Sequence, residues 1–157
     1  MGSVIALVVA TVAWIWSGYG SWLTVLDVRH NVTANQVRAW QADKAASDRF
    51  VLVDVRAESE YSISMLPNAI TLDEFEATAA SHRGKTVVAY CTVGVRSGAY
   101  AAHLRQQGWD AYNYRGGILD WCHNELPLIT PDGQPTSLVH TYSSWYSVPA
   151  SYLAVAR

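Results

Sequence analysis

The chain has 157 residues, half of them apolar and only 15% charged, with a formal net charge of −2. That length supports one ordinary domain with an appendage and excludes two full domains. The near-neutral balance, without a basic run, argues against a nucleic acid partner recognised through charge, and the low charged fraction implies that part of the chain leaves water.

That part is the N-terminus. No charged side chain occurs from Met1 to Leu26, and Val4 to Trp16 is apolar throughout except at Thr11. The uncharged span reaches the roughly 20 residues a membrane helix needs, so residues 1–26 are expected to hold a single-pass anchor that meets the membrane through 4–26. A secretory signal fits poorly, because no basic residue precedes the run and no small-x-small site follows it. A shorter helix packed on the domain and ended by Gly18 and Gly20 stays open, with Trp14, Trp16, Tyr19 and Trp22 gathered at one interface. Arg29 and Arg38 follow the segment and no basic residue precedes it, which places the following domain in the cytoplasm.

Residues 27–129 have the composition of a globular domain. Asn31 or Thr33 caps a helix through about Ala42, with Val37 and Trp40 facing inward. Phe50 to Val55 reads as a strand apolar on both faces, closing on Asp54 and Arg56 at the end where parallel sheets build sites. Asp54 is expected to be structural, holding a neighbouring loop. Arg56 either pairs with Glu58 or Glu60 or reaches the rim of a substrate site. Asp73 to Ala80 reads as a short surface helix, and Gly84-Lys85 turns into the next strand. Thr86 to Tyr90, rich in β-branched residues, is a buried strand that ends on Cys91. After a tight loop, Ala99, Ala102, His103 and Gln106 recur at helical spacing, and Gly108 stands where a helix ends on glycine. Trp109 to Tyr114 reads as the last strand, and Gly116-Gly117 starts a helix through Trp121. Strand and helix alternate, so the fold class is α/β, a central parallel sheet with helices on both faces.

The chemistry concentrates in Cys91-Thr92-Val93-Gly94-Val95-Arg96, which hands the chain to a helix starting near Ser97. The first N–H groups of a helix lack partners inside it and carry the positive end of its dipole. A loop curled so that its own N–H groups also point inward forms an anion-binding nest around the sulfur of Cys91. Gly94 permits the turn and Arg96 closes the rim with a permanent charge, surroundings that favour the nucleophilic thiolate. A cysteine at the end of an apolar strand is, taken alone, more often a small core residue.

The neighbours tip that balance. The loop, with Arg96-Ser97 at the helix start, resembles the active-site loop of the rhodanese family of sulfurtransferases. Leu52-Val53-Asp54-Val55-Arg56 with Glu58, Glu60 and Tyr61, then Leu66-Pro67-Asn68-Ala69-Ile70, and finally Gly116-Gly117, Trp121 and Leu126-Pro127-Leu128 are similar to that family's other motifs, in order, from about Asn31 to Leu128. Two departures stand out. Ser64-Met65 replaces a Gly-His, and Asn68 replaces a glycine whose left-handed backbone asparagine tolerates. The resemblance implies a rhodanese-like fold and an enzyme that moves sulfane sulfur from a small donor such as thiosulfate to cyanide or a thiol. Cys91 would carry the sulfur as a persulfide, and the N–H groups of Thr92, Val93, Gly94, Val95, Arg96 and Ser97 would hold it. The same fold includes phosphatases and arsenate reductases, whose loop is one residue longer than the four between Cys91 and Arg96. A membrane-tethered sulfur-carrier or binding module with little turnover is the other alternative.

Residues 130–157 begin with turn chemistry at Pro131-Asp132-Gly133-Gln134-Pro135 and continue rich in Ser, Tyr and Trp. Tyr142, Trp145, Tyr146, Tyr152 and Leu153 pack back on the domain, meet a membrane interface or meet a protein partner; the sequence does not choose. Cys122 reads as a structural thiol, with a resolving role for the persulfide open only if the two sulfurs lie close. Cys122 and His123 make a poor metal site and no other pair has ligand spacing, so neither a metal nor another cofactor is expected.

Overall fold

The computed structural model describes residues 28–156. The apolar stretch at 4–26, with the anchor and orientation expected of it, lies outside the described residues. Among those described, no helix is long and apolar enough to cross a membrane.

The central sheet has strands β1 (Asn31–Val32), β2 (Phe50–Asp54), β3 (Ala69–Thr71), β4 (Thr86–Tyr90) and β5 (Ala111–Tyr114), in the spatial order β1-β5-β4-β2-β3 and parallel throughout. The α-helices are α1 (Ala34–Ala42), α2 (Lys44–Ser47), α3 (Glu58–Tyr61), α4 (Leu72–Ala77), α5 (Val95–Gln106) and α6 (Gly117–His123). Alternation along the strands sends Leu52, Val88 and Tyr90 to one face of the sheet, and Val51, Val53, Val87 and Ala89 to the other. The first face is covered by α1 and α6 through Val37, Ile118 and Trp121, and the second by α4 and α5 through Phe75, Ala101 and Leu104. Both faces are therefore buried, which is why the strands read as unbroken apolar runs.

Strands β2 and β4 pair in step from Phe50 beside Thr86 to Asp54 beside Tyr90. They end level, so Asp54, Tyr90 and the following Cys91 gather at one edge of the sheet.

Thr33 is the residue that caps α1. Its hydroxyl accepts from the Gln36 N–H at 3.4 Å while the Gln36 side chain accepts from the Thr33 N–H at 2.9 Å. Asn31 instead belongs to β1, a strand too short to show a period. The surface helix expected over Asp73–Ala80 is a helix from Leu72 to Ala77 followed by a 3-10 turn at Ala79–His82. The last strand begins at Ala111 rather than Trp109, because the Trp109 N–H donates to the Leu104 carbonyl (3.1 Å) and its ring packs on Phe75 (5.4 Å between centroids). Asn68 has φ 61°, the left-handed turn that the missing glycine would otherwise supply.

After the sheet, β6 (Leu128–Ile129) pairs antiparallel with β7 (Pro135–Thr136), and β8 (Leu138–His140) pairs parallel with β9 (Leu153–Val155). Val139 is fully buried in the core, and the Tyr152 hydroxyl donates to the Leu126 carbonyl at 2.6 Å. Of the five tail residues for which packing on the domain is one option, Tyr152 packs on it, whereas Tyr142, Trp145, Tyr146 and Leu153 are exposed.

Candidate active site

Cys91 follows β4 directly, and the chain turns back at Gly94, whose φ of 84° is left-handed. That turn aims the Gly94 N–H at the Cys91 sulfur, 3.1 Å away. A Cβ at Gly94 would lie 1.9 Å from the Arg115 carbonyl oxygen, and one at Gly117 would lie 2.3 Å from the Cys91 carbonyl oxygen. No side chain fits at either place. The loop is pressed against residues 115–117, where Ile118 and Leu119 N–H groups at the start of α6 donate to the carbonyls of Cys91 (2.9 Å) and Thr92 (3.2 Å). Loop carbonyls are thereby occupied on the α6 side. Behind the loop the Ser97 hydroxyl donates to the Asn113 side-chain oxygen at 2.7 Å, and the Asn113 amide donates to the Gly94 carbonyl at 3.1 Å.

Helix α5 starts at Val95, two residues before the expected Ser97. Its first N–H groups consequently fall within the loop itself. Burial alone would push the Cys91 thiol up. Hydrogen bonds from the Ser97 and Val93 N–H groups, together with the charge of Arg96, overcome that and leave it below its ordinary value.

Arg96 makes a bidentate pair with Glu60, Nη1 to Oε2 at 2.6 Å and Nη2 to Oε1 at 2.7 Å, and Nη2 also donates to the Thr92 hydroxyl at 2.9 Å. The Thr92 hydroxyl in turn donates to Glu60 Oε1 at 3.0 Å. Burial would raise the Glu60 carboxyl, but the bond from Arg96, the Ala57 N–H, the Arg96 charge and the Thr92 hydroxyl hold it down at about 2. Glu60 is therefore ionised. Arg96 stands at the loop with its charge already matched.

Asp54 and Arg56 form a second pair, deeper in the protein. Arg56 Nη2 lies 2.6 Å from Asp54 Oδ2 with both side chains wholly buried. Nη2 also donates to the Ser64 carbonyl at 2.6 Å, the Tyr90 hydroxyl donates to Asp54 Oδ2 at 2.6 Å, and the Leu66 N–H donates to the Tyr90 oxygen at 3.1 Å. This network ties the ends of β2 and β4 to the segment at 64–66. Burial lowers the Arg56 pKa, and the Asp54 charge more than restores it, so it remains a cation. The structure buries Arg56 rather than placing it at a rim, paired with Asp54 and not with Glu58 or Glu60.

A cavity of about 240 Å³ is lined by Cys91, Thr92, Val93, Val95 and Arg96 and by two residues of the tail, Tyr142 and Tyr146. The Tyr142 ring centre lies 5.3 Å from the Arg96 guanidinium. Of the residues expected at the site, Gly94, Ser97, Asp54 and Arg56 do not line this cavity. Glu60, Asn113, Tyr142 and Tyr146 complete the surroundings without having been singled out as site residues. Cys122 sits in the core on α6, where burial pushes its thiol up to about 12 against a weak lowering by the Arg56 charge. A thiol held neutral is a poor nucleophile, which fits the structural reading of Cys122.

Residues 33–124 match the model of the rhodanese-like domain. A sulfurtransferase of Allochromatium vinosum is 34% identical over 93 residues, covering 57% of this chain and 87% of the relative. A tRNA uridine(34) hydroxylase of Burkholderia cenocepacia is 33% identical over 103 residues, covering 57% of this chain but 36% of that longer protein. The crystal structure of a Bacillus halodurans protein superimposes with a TM-score of 0.56 at 21% identity, over 74% of this chain and 87% of that one, a likeness of fold. The matched segment contains both the strand that ends on Cys91 and the helix that begins beyond it, so this chain belongs to the rhodanese-like family, whose sulfurtransferase members support sulfur transfer as its general chemistry.

Proposed function

We propose that the protein moves sulfane sulfur from a small donor such as thiosulfate to a thiophilic acceptor, cyanide or a thiol, through a persulfide on Cys91. The observation that carries this reading is Cys91 in the lining of a cavity beside Arg96, with the Gly94 N–H 3.1 Å from its sulfur. In the first step the Cys91 thiolate attacks the outer sulfur of thiosulfate. A Cys91 S–S bond forms, the sulfur–sulfur bond of thiosulfate breaks, and its electron pair leaves with sulfite. In the second step the acceptor attacks the outer sulfur, and the electron pair of the broken bond returns to Cys91 as thiolate. With cyanide the product is thiocyanate.

The loop N–H groups are fixed before the reaction and can meet the negative charge on either sulfur without reorganising. Arg96 contributes local positive potential, moderated by Glu60. The four-residue spacing from Cys91 to Arg96 favours sulfur over a tetrahedral phosphate. Thiosulfate-dependent thiocyanate formation that Cys91→Ser abolishes supports the reading; hydrolysis of a phosphate ester that depends on Cys91 contradicts it.

Membrane attachment through residues 4–26 is part of the proposal, supported by the absence of charge from Met1 to Leu26. Alkaline carbonate extraction of membranes carrying the full chain should leave it in the pellet. Its release into the supernatant would contradict an anchor.

A further inference from the structure

The cavity that Cys91 lines is completed by a segment outside the matched domain. The family match ends at residue 124, whereas Tyr142 and Tyr146 come from the tail. This part of the wall belongs to the chain's own extension.

The tail holds these rings in place. Thr141, fully buried, donates its N–H to the Val155 carbonyl at 2.9 Å, continuing the β8–β9 pairing. Tyr142 then adopts φ 65°, a conformation that L side chains disfavour, and its N–H donates to His140 Nδ1 at 3.1 Å. A backbone turned in this way carries the ring over Arg96. The two rings remain partly open to solvent, Tyr142 at 61% and Tyr146 at 40% exposure, beside Val95 at 50%.

Charge and size narrow what fits. Among the described residues lining the cavity, Arg96 is the charged one, and Glu60 already holds its guanidinium by two bonds. The remaining surface is largely apolar, from Val93, Val95 and the two rings. An apolar cavity of about 150 Å³ is enough to take up benzene, whereas drug-sized ligands occupy about 300–1,000 Å³. At about 240 Å³ the space suits one ring with a short substituent.

We infer that Tyr142 and Tyr146 are specificity-determining residues and that the acceptor they select is a small thiol bearing an aromatic ring. The inference rests on the sulfur-transfer reading and names its acceptor class. The acceptor ring lies against the tyrosines, and its thiolate attacks the outer sulfur of the Cys91 persulfide, whose negative charge the loop N–H groups hold. A new sulfur–sulfur bond forms, the bond to the Cys91 sulfur breaks, and its electron pair returns to Cys91 as thiolate. The transferred sulfur keeps its negative charge, and the product is an aromatic persulfide anion. Cyanide is too small to use the wall.

The test uses the full chain, thiosulfate as donor throughout, and benzenethiol or cyanide as acceptor. In Tyr142→Ala/Tyr146→Ala the ratio of kcat/KM for benzenethiol to that for cyanide should fall about tenfold, as loss of two aromatic contacts implies. Tyr142→Phe/Tyr146→Phe should restore the ratio, since the rings and not the hydroxyls do the selecting. Trp145→Ala, on the same loop but 93% exposed and outside the cavity, should leave both rates within twofold. Equal losses with the two acceptors, or an unchanged ratio, would overturn the inference while persulfide formation on Cys91 stands. A wild-type chain that takes up no sulfur from thiosulfate would overturn the sulfur-transfer reading and the inference with it.

Discussion

Cys91 and Cys122 are both free and almost wholly buried, with exposures of 1% and 0%, yet their surroundings drive their acidity in opposite directions. At Cys122 the neighbours are core side chains such as Tyr114, Trp121 and Leu126, and desolvation carries the thiol up to about 12. At Cys91 desolvation acts in the same sense but is overcome by N–H groups and a guanidinium. Burial therefore does not decide whether a cysteine is structural or reactive. What separates the two is whether the backbone presents donors, and at Cys91 it does so because a left-handed glycine and a helix start follow within five residues of the strand's end.

The strongest way to break the comparison is to exchange the roles of the two thiols. Cys91→Ser should lower sulfur transfer by on the order of 10³-fold or more, as loss of a nucleophile does, while Cys122→Ala should keep activity within about twofold and lose about 1 kcal/mol of stability. Steady-state thiocyanate formation and a denaturant titration measure both. Comparable activity loss in the two variants would end the distinction.

Next in size is the buried pair of Asp54 and Arg56, tied to the end of β4 through Tyr90. Arg56→Met leaves the Asp54 carboxylate buried without its cation and should cost about 3–5 kcal/mol in a urea titration. A cost under about 1 kcal/mol would show that the Asp54 network does not hold the strand ends together.

The donor geometry comes third. Gly94→Ala puts a Cβ 1.9 Å from the Arg115 carbonyl at a φ of 84°, so the loop must shift. A displacement of about 1 Å at a reacting group costs on the order of 10²-fold in kcat/KM. Iodoacetamide labelling should show the Cys91 midpoint moving upward in pH in this variant, with Cys122 unlabelled in the folded chain. An unmoved midpoint would mean that the loop donors do not tune the thiol.

The smallest effect is electrostatic. Glu60 has its pKa lowered from 4.5 to about 2, so its pair with Arg96 stabilises the fold above pH 4.5 and loses that contribution as pH falls through about 2. The stability difference between wild type and Glu60→Gln should be full near neutral pH and close between pH 4.5 and about 2. A difference independent of pH would contradict an ionised Glu60.

Much of the architecture is legible in the sequence because buried parallel strands leave a strong mark. The runs Phe50 to Asp54 and Thr86 to Tyr90 are apolar on both faces, and the structure shows helices covering each. Strand β1 escapes notice because two residues, Asn31 and Val32, carry no period. The loop from Cys91 to Ser97 is contiguous and so visible, whereas its partners are distant in sequence. Glu60 reaches Arg96 across 36 positions, and the sequence equally offers it to Arg56. Arg56 lands inside the protein because Asp54, two residues before it, is closer and already aligned at the strand end. Tyr142 enters the site through a left-handed turn in a tail without periodicity, a conformation that no tyrosine advertises.

The most direct test is the intact mass of the full chain after incubation with thiosulfate, with peptide mapping of both cysteines and a final addition of cyanide. The account predicts one added sulfur atom, located on Cys91, absent from Cys91→Ser and released as thiocyanate. Sulfur found on Cys122, or a folded wild-type chain that gains none, would contradict it.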